Sequence, residues 1–385
     1  MTAVEADRKL ATIVTIANLE PIPKADNIEY ASFKENSWNV VVKKNEFKVG
    51  DLAIYFSIDS ILDPENEKTE FLEGKRLKTR RMLGVISQGL AAPLSWLADY
   101  DSDLTKYSVD DDVTQIMKVK KYVALDEQDL YKENSFPKHI VPKTDEERIQ
   151  SYLKGLQKIV ENNQRVVITK KFDGTSFTVL YVKSVAKEVF MACGRNQVVM
   201  TNEKLLMVDD SQPSTGKDEV SPANDHRTDK HYAEMVEKYD LEHKMKALGK
   251  NIAIQGEICG PKINGNRMKR TDKDFFVFNV WDIDNQYYLP LAEVQAITST
   301  LGLKMVDLVH VGSIEDIPGL KINKPKGDSE YVKAVSKALL TFAGNQEYSK
   351  GVPAEGIVIK TDFGKEHERI SFKVISNKYL IKHNE

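Results

Sequence analysis

Between Leu10 and Leu62 the apolar positions come in short runs, LATIVTIANLEPI, IEYASF, WNVVVKK and DLAIYFSI, separated by Pro, Gly, Asn and Asp. Runs of that length, rich in Val, Ile, Tyr and Phe, predict β-strands, and Gly50-Asp51 between EFKV and LAIYF is a turn signal of the hairpin kind. The region reads as a small all-β barrel. After Pro64 comes EFLEGKRLKTRRMLGVISQGLAAPL, where Lys75, Arg76, Lys78, Arg80 and Arg81 crowd one basic loop or strand. Segment 99 to 135 is acidic and then lysine-rich with a weak core signal, and reads as the end of this domain plus a linker. Thr144-Asp145 ahead of EERIQSYLKGL is a helix-start signal with acidic first-turn residues, so a second domain begins close to residue 136.

Beyond Gln164 the pattern predicts strands at RVVITKKF, SFTVLYVK, EVFMACG, NIAIQGEICG, FFVFNVWDI, EGIVIKT and ISFKVIS, and helices over 231–248, 292–301 and 328–344. Strands and helices alternate without the regular repeat of a doubly wound sheet. An α+β fold follows, with the barrel in front and two antiparallel sheets with flanking helices behind. The stretch 207–230, polar and carrying Ser, Pro, Gly and Asp, reads as a long surface loop or disordered insertion. No repeats or heptads stand out.

Composition adds limits. A chain of 385 residues suits two domains, and 41% hydrophobic with 29% charged residues is the mix of a soluble globular protein. The net charge of -3 does not announce a polyanion partner, although a basic face can hide inside a balanced total. The two cysteines, Cys193 and Cys259, have neither metal-ligand spacing nor a disulfide framework, which fits a reducing compartment. MTAVEADRKLATIVTI lacks the basic start and apolar run of an export signal, and no run of 18 apolar residues could span a membrane. The expectation is an intracellular protein, cytoplasmic or nuclear, without a membrane partner and monomeric.

The stretch TKKFDGTS, Thr169 to Ser176, places two lysines at a strand end. Side chains on a strand alternate, so Lys171 and Asp173 share a face and Lys170 points away. Gly174 then permits a sharp turn and close backbone approach. A lysine with an ordinary pKa of about 10.4 is protonated at neutral pH and needs activation to be a nucleophile, which a nearby divalent cation could supply. A surface Lys-Asp pair is the alternative reading of these eight residues. Four other segments bear on the choice. Glu257 ends an apolar strand in QGEICGPKINGN. In DFFVFNVWD, Phe276, Phe278 and Val280 alternate onto one face, where an aromatic could stack on a base or simply pack in a core. Glu355 begins EGIVIK, and Lys373 lies inside RISFKVISNKYL, where it either snorkels or neutralises phosphate.

Taken in order, these segments resemble the motifs of the covalent nucleotidyltransferase superfamily, the ATP-dependent polynucleotide ligases and mRNA capping enzymes. The resemblance implies that Lys171 of KFDGTS takes the nucleotide and that Arg195 of CGRN is the basic residue that follows. It implies that Glu257 contacts ribose, Phe278 stacks on adenine, Glu355 holds metal with Asp173, and Lys373 contacts the α-phosphate. Arg148 joins the implied nucleotide-binding set. The N-terminal segments LEPIPKADNIEYASF, WNVVVKKNEFKVGDLAIYFSIDSIL and RLKTRRMLGVISQGLAAPL, with FPKHIVPKTDEERIQ, are similar to the RNA ligases of the Deinococcus and Naegleria type. Those fuse an N-terminal OB domain, here residues 1–135, to a transferase domain, here 136–385, whereas DNA ligases carry the OB domain afterwards. Two positions depart from the pattern. Lys373-Val374-Ile375 lacks a second lysine, so Lys378 or Lys360 supplies that charge or the role is lost, and Lys170, which also joins the implied nucleotide-binding set, stands where some RNA ligases have glutamate.

The resemblance implies an ATP-dependent RNA ligase that seals 3′-hydroxyl and 5′-phosphate ends through a lysine-AMP intermediate. ATP and a divalent metal, Mg2+ or Mn2+, would be its cofactors, and RNA or an RNA-containing nicked duplex its partner. The run from Lys75 to Arg81 would then bind nucleic acid. Two rival readings are a capping-type guanylyltransferase using GTP and a non-catalytic nucleic-acid-binding protein on the same fold. The second requires loss of the nucleophile or of the metal carboxylate, and this chain has both.

Overall fold

The computed structural model describes residues 9–122, 135–184, 188–201, 229–364 and 369–385. The long polar stretch expected over 207–230 lies, up to residue 228, outside the described residues.

The first half is built on β1 (Ala11–Pro21), β2 (Ile28–Phe33), β3 (Asn39–Lys43) and β4 (Leu52–Phe56). It continues through β5 (Ser60–Ile61), β6 (Thr79–Met82), β7 (Val85–Gln88), β8 (Leu90–Pro93) and β9 (Lys120–Lys121). The main sheet has the order β3-β2-β1-β4-β8. β1 belongs to two ladders: its first half pairs with β4, and after an irregularity between Ile16 and Asn18 its second half pairs with β2. A bulge of that kind increases the twist and lets one strand curl the sheet into a half-barrel. Alternate β1 residues bury into two clusters, Ala11 and Ile13 on one side and Val14 and Ile16 on the other. The Gly50-Asp51 turn is present, with Gly50 at φ +95°, but it does not close a hairpin. It feeds β4, whose partners are β1 and β8, because the apolar residues of β4 fit the barrel core and EFKV does not form a strand. The core of this half also takes in Val113, Met117 and Val119, so the segment after residue 99 still folds with it.

The second half has two larger sheets. One contains β10 (Glu147–Arg148) and β11 (Val166–Lys171); the other begins with β12 (Thr175–Lys183), β13 (Glu188–Cys193), β14 (Val198–Thr201) and β15 (Ile252–Cys259). The second sheet is extended by β16 (Asp274–Asp282), β17 (Tyr287–Tyr288) and β18 (Lys304–Met305). The first is completed by β19 (Leu308–Gly312), and a small hairpin of β20 (Glu347–Ser349) and β21 (Val352–Pro353) precedes β22 (Gly356–Thr361) and β23 (Ser371–Ile375). Their orders are β10-β23-β22-β11-β19 and β14-β13-β12-β15-β16-β17, with β18 beside β16. Both are antiparallel apart from the short parallel pairs β10–β23 and β16–β18.

Helices cover the outer face of each sheet. α1 (Leu153–Glu161) and α5 (Tyr331–Ala343) pack on the five-stranded sheet. α2 (Asp229–Tyr239), α3 (Leu241–Leu248) and α4 (Leu291–Leu301) pack on the larger one. The expected helix over 231–248 is thus two helices, broken at Asp240, which has φ +50°. The helix start expected at Thr144-Asp145 is also corrected. Glu147 and Arg148 are held extended against Phe372 and Lys373, Ile149 donates its N–H to the Lys373 carbonyl at 2.9 Å, and the helix begins only at Leu153. Here the ladder competed successfully with the capping signal.

Several contacts tie the halves together. The Trp38 indole donates to Ser151 Oγ at 2.9 Å, Lys333 Nζ to the Phe33 carbonyl at 2.9 Å, and Ser37 N–H to the Gln150 carbonyl at 3.0 Å.

Candidate active site

Register on the five-stranded sheet decides which side chains meet. Lys171 pairs with Gly356, Thr169 with Val358, and Val358 with Lys373, while Val167 pairs with Lys360. Directly opposed residues share a face, so Lys171, Lys360 and Lys373 stand together, with Arg148 beside Lys373. Ile168, Ile357, Ile359, Phe372 and Val374 occupy the other face and bury under the helices. The inner face of the larger sheet presents Glu257, Phe276 and Phe278. Lys360 joins the two sheets: its amine donates to the Phe278 carbonyl at 2.9 Å and to Asn279 Oδ1 at 2.7 Å.

Lys171 ends β11, and its Nζ lies 2.7 Å from Glu355 Oε2, just before β22. Burial alone would lower the Lys171 amine, but the carboxylates of Glu355, Glu257 and Asp173 outweigh it and hold the amine above its usual range. Burial, with the neighbouring Glu355 and Asp173, pushes Glu257 up to about 7 against the pull of Lys171. Glu355 is raised by burial and by Asp173. Negative groups therefore outnumber the one nearby lysine. The other face holds as expected: Lys170 turns away, its Nζ 2.9 Å from Asp307 Oδ2.

Gly174 is required by close approach, since a Cβ there would stand 2.2 Å from the Ile258 carbonyl oxygen and 2.7 Å from Cys259 Sγ. That closeness lets the Gly174 N–H donate to Glu257 Oε1 at 3.2 Å. Three residues that the motif pattern did not single out hold Asp173. The Tyr379 hydroxyl donates to Oδ2, Arg267 Nη1 lies 3.4 Å from the same oxygen, and Asn264 Nδ2 lies 3.3 Å from Oδ1. Arg267 is in turn 2.6 Å from Glu385 Oε1. Tyr348 was also missed. Its hydroxyl donates to the Lys171 carbonyl at 2.5 Å and accepts the Glu355 N–H at 3.1 Å, bridging the main chains of Lys171 and Glu355, while its ring meets Phe172 edge-on. The signal for Asn264 and Arg267 was the INGNR turn, where Asn264, Gly265 and Asn266 all have positive φ; Tyr348 and Tyr379 gave none.

Phe278 is half-buried with the Lys360 amine 5.2 Å from its ring centre. The shared face expected for Phe276, Phe278 and Val280 is corrected: Gln255 pairs with Asn279 and Gly256 with Val277, so Phe278 is the extra residue of a bulge. The bulge keeps Phe276 and Phe278 on the inner face and sends Val280 into the outer core with Phe275 and Val277. Arg195 Nη2 lies 3.0 Å from Asp145 Oδ1, and Lys121 Nζ 3.1 Å from Oδ2. Burial pushes the Asp145 carboxyl up, but Arg195, Lys373 and Lys121 more than offset it and hold it well below the usual range, which brings Arg195 and Lys373 to one carboxylate. Lys378 is exposed on α6 (Asn377–His383), 3.3 Å from Asn345 Oδ1, and is not on the lysine face of the sheet. Lys360 is on that face; burial and Arg369 depress its amine to about 7. In the basic run, Lys75 pairs with Glu73 and Arg76 with Asp59, Lys78 is half-buried, and Arg80 and Arg81 are exposed on β6. Arg148 Nη2 lies 3.7 Å from Asp59 Oδ2 across the interface of the halves.

Hard oxygen donors suit Mg2+ or Mn2+. Among the described residues no three acidic, His or Cys side chains are grouped to chelate an ion alone. A small divalent ion keeps waters and needs only one or two protein carboxylates beside substrate phosphates, and Glu355 and Asp173 stand next to Lys171. The raised Glu355 and Glu257, short of positive charge, fit such an ion.

The RNA ligase family model matches residues 164–375, and an OB-fold domain model matches residues 10–94. No curated protein matches the chain. Among solved structures, a Naegleria gruberi RNA ligase variant with ATP and Mn is 29% identical, with a TM-score of 0.73 over 98% of this chain and 100% of that one. Another variant of that ligase, with AMP and Mn, is 30% identical, with a TM-score of 0.73 over 98% of this chain and 99% of its own. The same ligase with pyrophosphate is 31% identical, with a TM-score of 0.72 over 98% and 99% of the two chains.

Proposed function

The chain belongs to the RNA ligase family, and from that premise we propose that it seals nicks whose 3′-hydroxyl strand is RNA, using ATP and passing through AMP linked to Lys171. The observation that carries this reading is the Lys171–Glu355 pair, set among acidic groups on a sheet face that also bears Lys360 and Lys373. The similar ligase structures with ATP, AMP and pyrophosphate support it.

In the first step the Lys171 nitrogen attacks the α-phosphorus of ATP; an N–P bond forms, the bond to the bridging oxygen breaks, and pyrophosphate leaves. The amine must lose a proton, and Glu355 is the base within hydrogen-bond reach. A divalent ion held by Glu355, with Asp173 through water, would supply Lewis-acid stabilisation of the phosphate charge. Lys373 and Arg195 neutralise phosphate oxygens, Glu257 binds the ribose, and Phe278 gives the adenine an aromatic surface. AMP then passes to the 5′-phosphate of the nick, and the 3′-hydroxyl displaces it to form the phosphodiester. The first domain holds the nucleic acid through its basic run.

Labelled ATP and GTP supplied separately test the nucleotide: ATP alone should label the protein, and labelling by GTP instead would point to a capping-type transferase. Nicked duplexes that differ only in RNA or DNA on each side of the break test the substrate. Sealing should depend on RNA at the 3′-hydroxyl side; equal sealing of all-DNA nicks would refute that preference.

A further inference from the structure

The hairpin of β6 and β7 contains a residue choice that folding does not explain. Its strands pair from Thr79–Gln88 to Met82–Val85, leaving Leu83 and Gly84 as a two-residue turn. Both have positive φ, +46° and +92°, the condition of a type I′ turn, whose first position favours Asn, Asp or Gly. A bulky apolar side chain there is strained. Leu83 is 58% exposed and its neighbour Met82 is 38% exposed, so burial does not offset the strain. Arg80 and Arg81, exposed on β6, have no ion-pair partner among the described residues, unlike Lys75 and Arg76.

The root of the hairpin is bound to the catalytic half. The Thr79 N–H donates to the main-chain oxygen of Glu385 at 3.1 Å; the Glu385 side chain holds Arg267 at 2.6 Å, and Arg267 lies 3.4 Å from Asp173. Asp173 is two residues from Lys171. The arm therefore starts at the rim of the site, and four strand residues place its tip roughly 13 Å from that root.

We propose that this hairpin is a duplex-reading arm. Arg80 and Arg81 neutralise backbone phosphates, and Met82 with Leu83 forms an apolar wedge against sugar edges in the wide, shallow minor groove of an RNA-containing duplex beside its nick. The proposal rests on the ligase reading above and adds to it the residues that grip the duplex. Charge selects the partner, since two arginines with no ion-pair partner among the described residues stand next to the apolar tip.

The test uses the full chain, labelled ATP and a nicked RNA duplex, comparing wild type with Leu83→Asn and with the double variant R80A/R81A. Leu83→Asn suits the turn, so it should unfold at no lower temperature than wild type and take AMP onto lysine at the same rate. Its KM for the nicked duplex should rise roughly tenfold, the effect of one lost apolar contact. R80A/R81A should also raise KM and reduce the salt dependence of duplex binding by roughly two in log-log slope; Leu83→Asn should leave that slope unchanged. Normal labelling with an unchanged KM for Leu83→Asn would overturn the arm alone. A wild-type protein that takes no label from ATP would overturn the ligase reading and the arm with it. Dimerisation of wild type that Leu83→Asn abolishes would assign the tip to a second copy of this chain and overturn the proposal.

Discussion

Glu257 is a carboxylate whose environment opposes its charge. Its folded value of about 7 lies above the ordinary 4.5, so the folded state binds its proton more tightly than the unfolded chain does. Its ionisation therefore costs no folding stability below pH 4.5, and the full cost, about 3 kcal/mol, is reached above pH 7. Glu257→Gln keeps an acceptor for the Gly174 N–H and has no charge to bury. In the absence of nucleotide and metal, its stability relative to wild type should rise between these pH values by up to about 3 kcal/mol, measured by denaturant unfolding. A pH-independent difference would show that Glu257 is ionised at little cost. Lys171 acts in the same direction for catalysis: an amine held above its usual range is mostly protonated at neutral pH, so the rate of AMP transfer onto it should climb with pH. A rate that falls as pH rises from 6.5 to 8.5 would contradict an amine nucleophile limited by its proton.

Among the elements, α6 has the most specific consequence. Ser376 caps its start by accepting the Tyr379 N–H, which fixes the helix so that the Tyr379 hydroxyl reaches Asp173. Together with Arg267 and Asn264, this helix positions the turn that follows Lys171. Tyr379→Phe should slow AMP transfer about tenfold through kcat, with a smaller change in KM for ATP, as expected for one hydrogen bond to a charged group. A variant with the wild-type kcat would show that Arg267 and Asn264 suffice.

The elements also show what the sequence could reveal. Seven of the fourteen strands described in the second half, β11, β12, β13, β15, β16, β22 and β23, and the helices over 291–301 and 331–343 follow from local apolar period, and strand alternation alone put Lys171 with Asp173 and Lys170 opposite. The Phe278 bulge was hidden because an extra residue leaves the same alternating letters on both sides. Arg148 looked helical because its ladder partner, Lys373, is 225 positions along the chain. Tyr379 was invisible for the same reason: its partner Asp173 is distant in sequence, and it sits in no periodic pattern that marks a site.

At the level of the full chain, the two halves are joined by specific contacts. The Trp38–Ser151, Lys333–Phe33 and Thr79–Glu385 hydrogen bonds and the Arg148–Asp59 pair hold the first domain against the second half. The Lys171 cluster itself lies entirely in the second half. Removing residues 1–135 should therefore leave AMP transfer onto lysine and strongly impair sealing of nicked duplex. A truncated protein that seals as well as the full chain would show that the first domain does not hold the substrate.

All of this depends on one covalent bond. After incubation with labelled ATP and Mg2+, the protein can be digested and the modified peptide sequenced by mass spectrometry. AMP should be found on Lys171 alone, and none in a Lys171→Ala variant that remains folded. AMP on Lys170, or equal labelling of the Lys171→Ala variant, would contradict it.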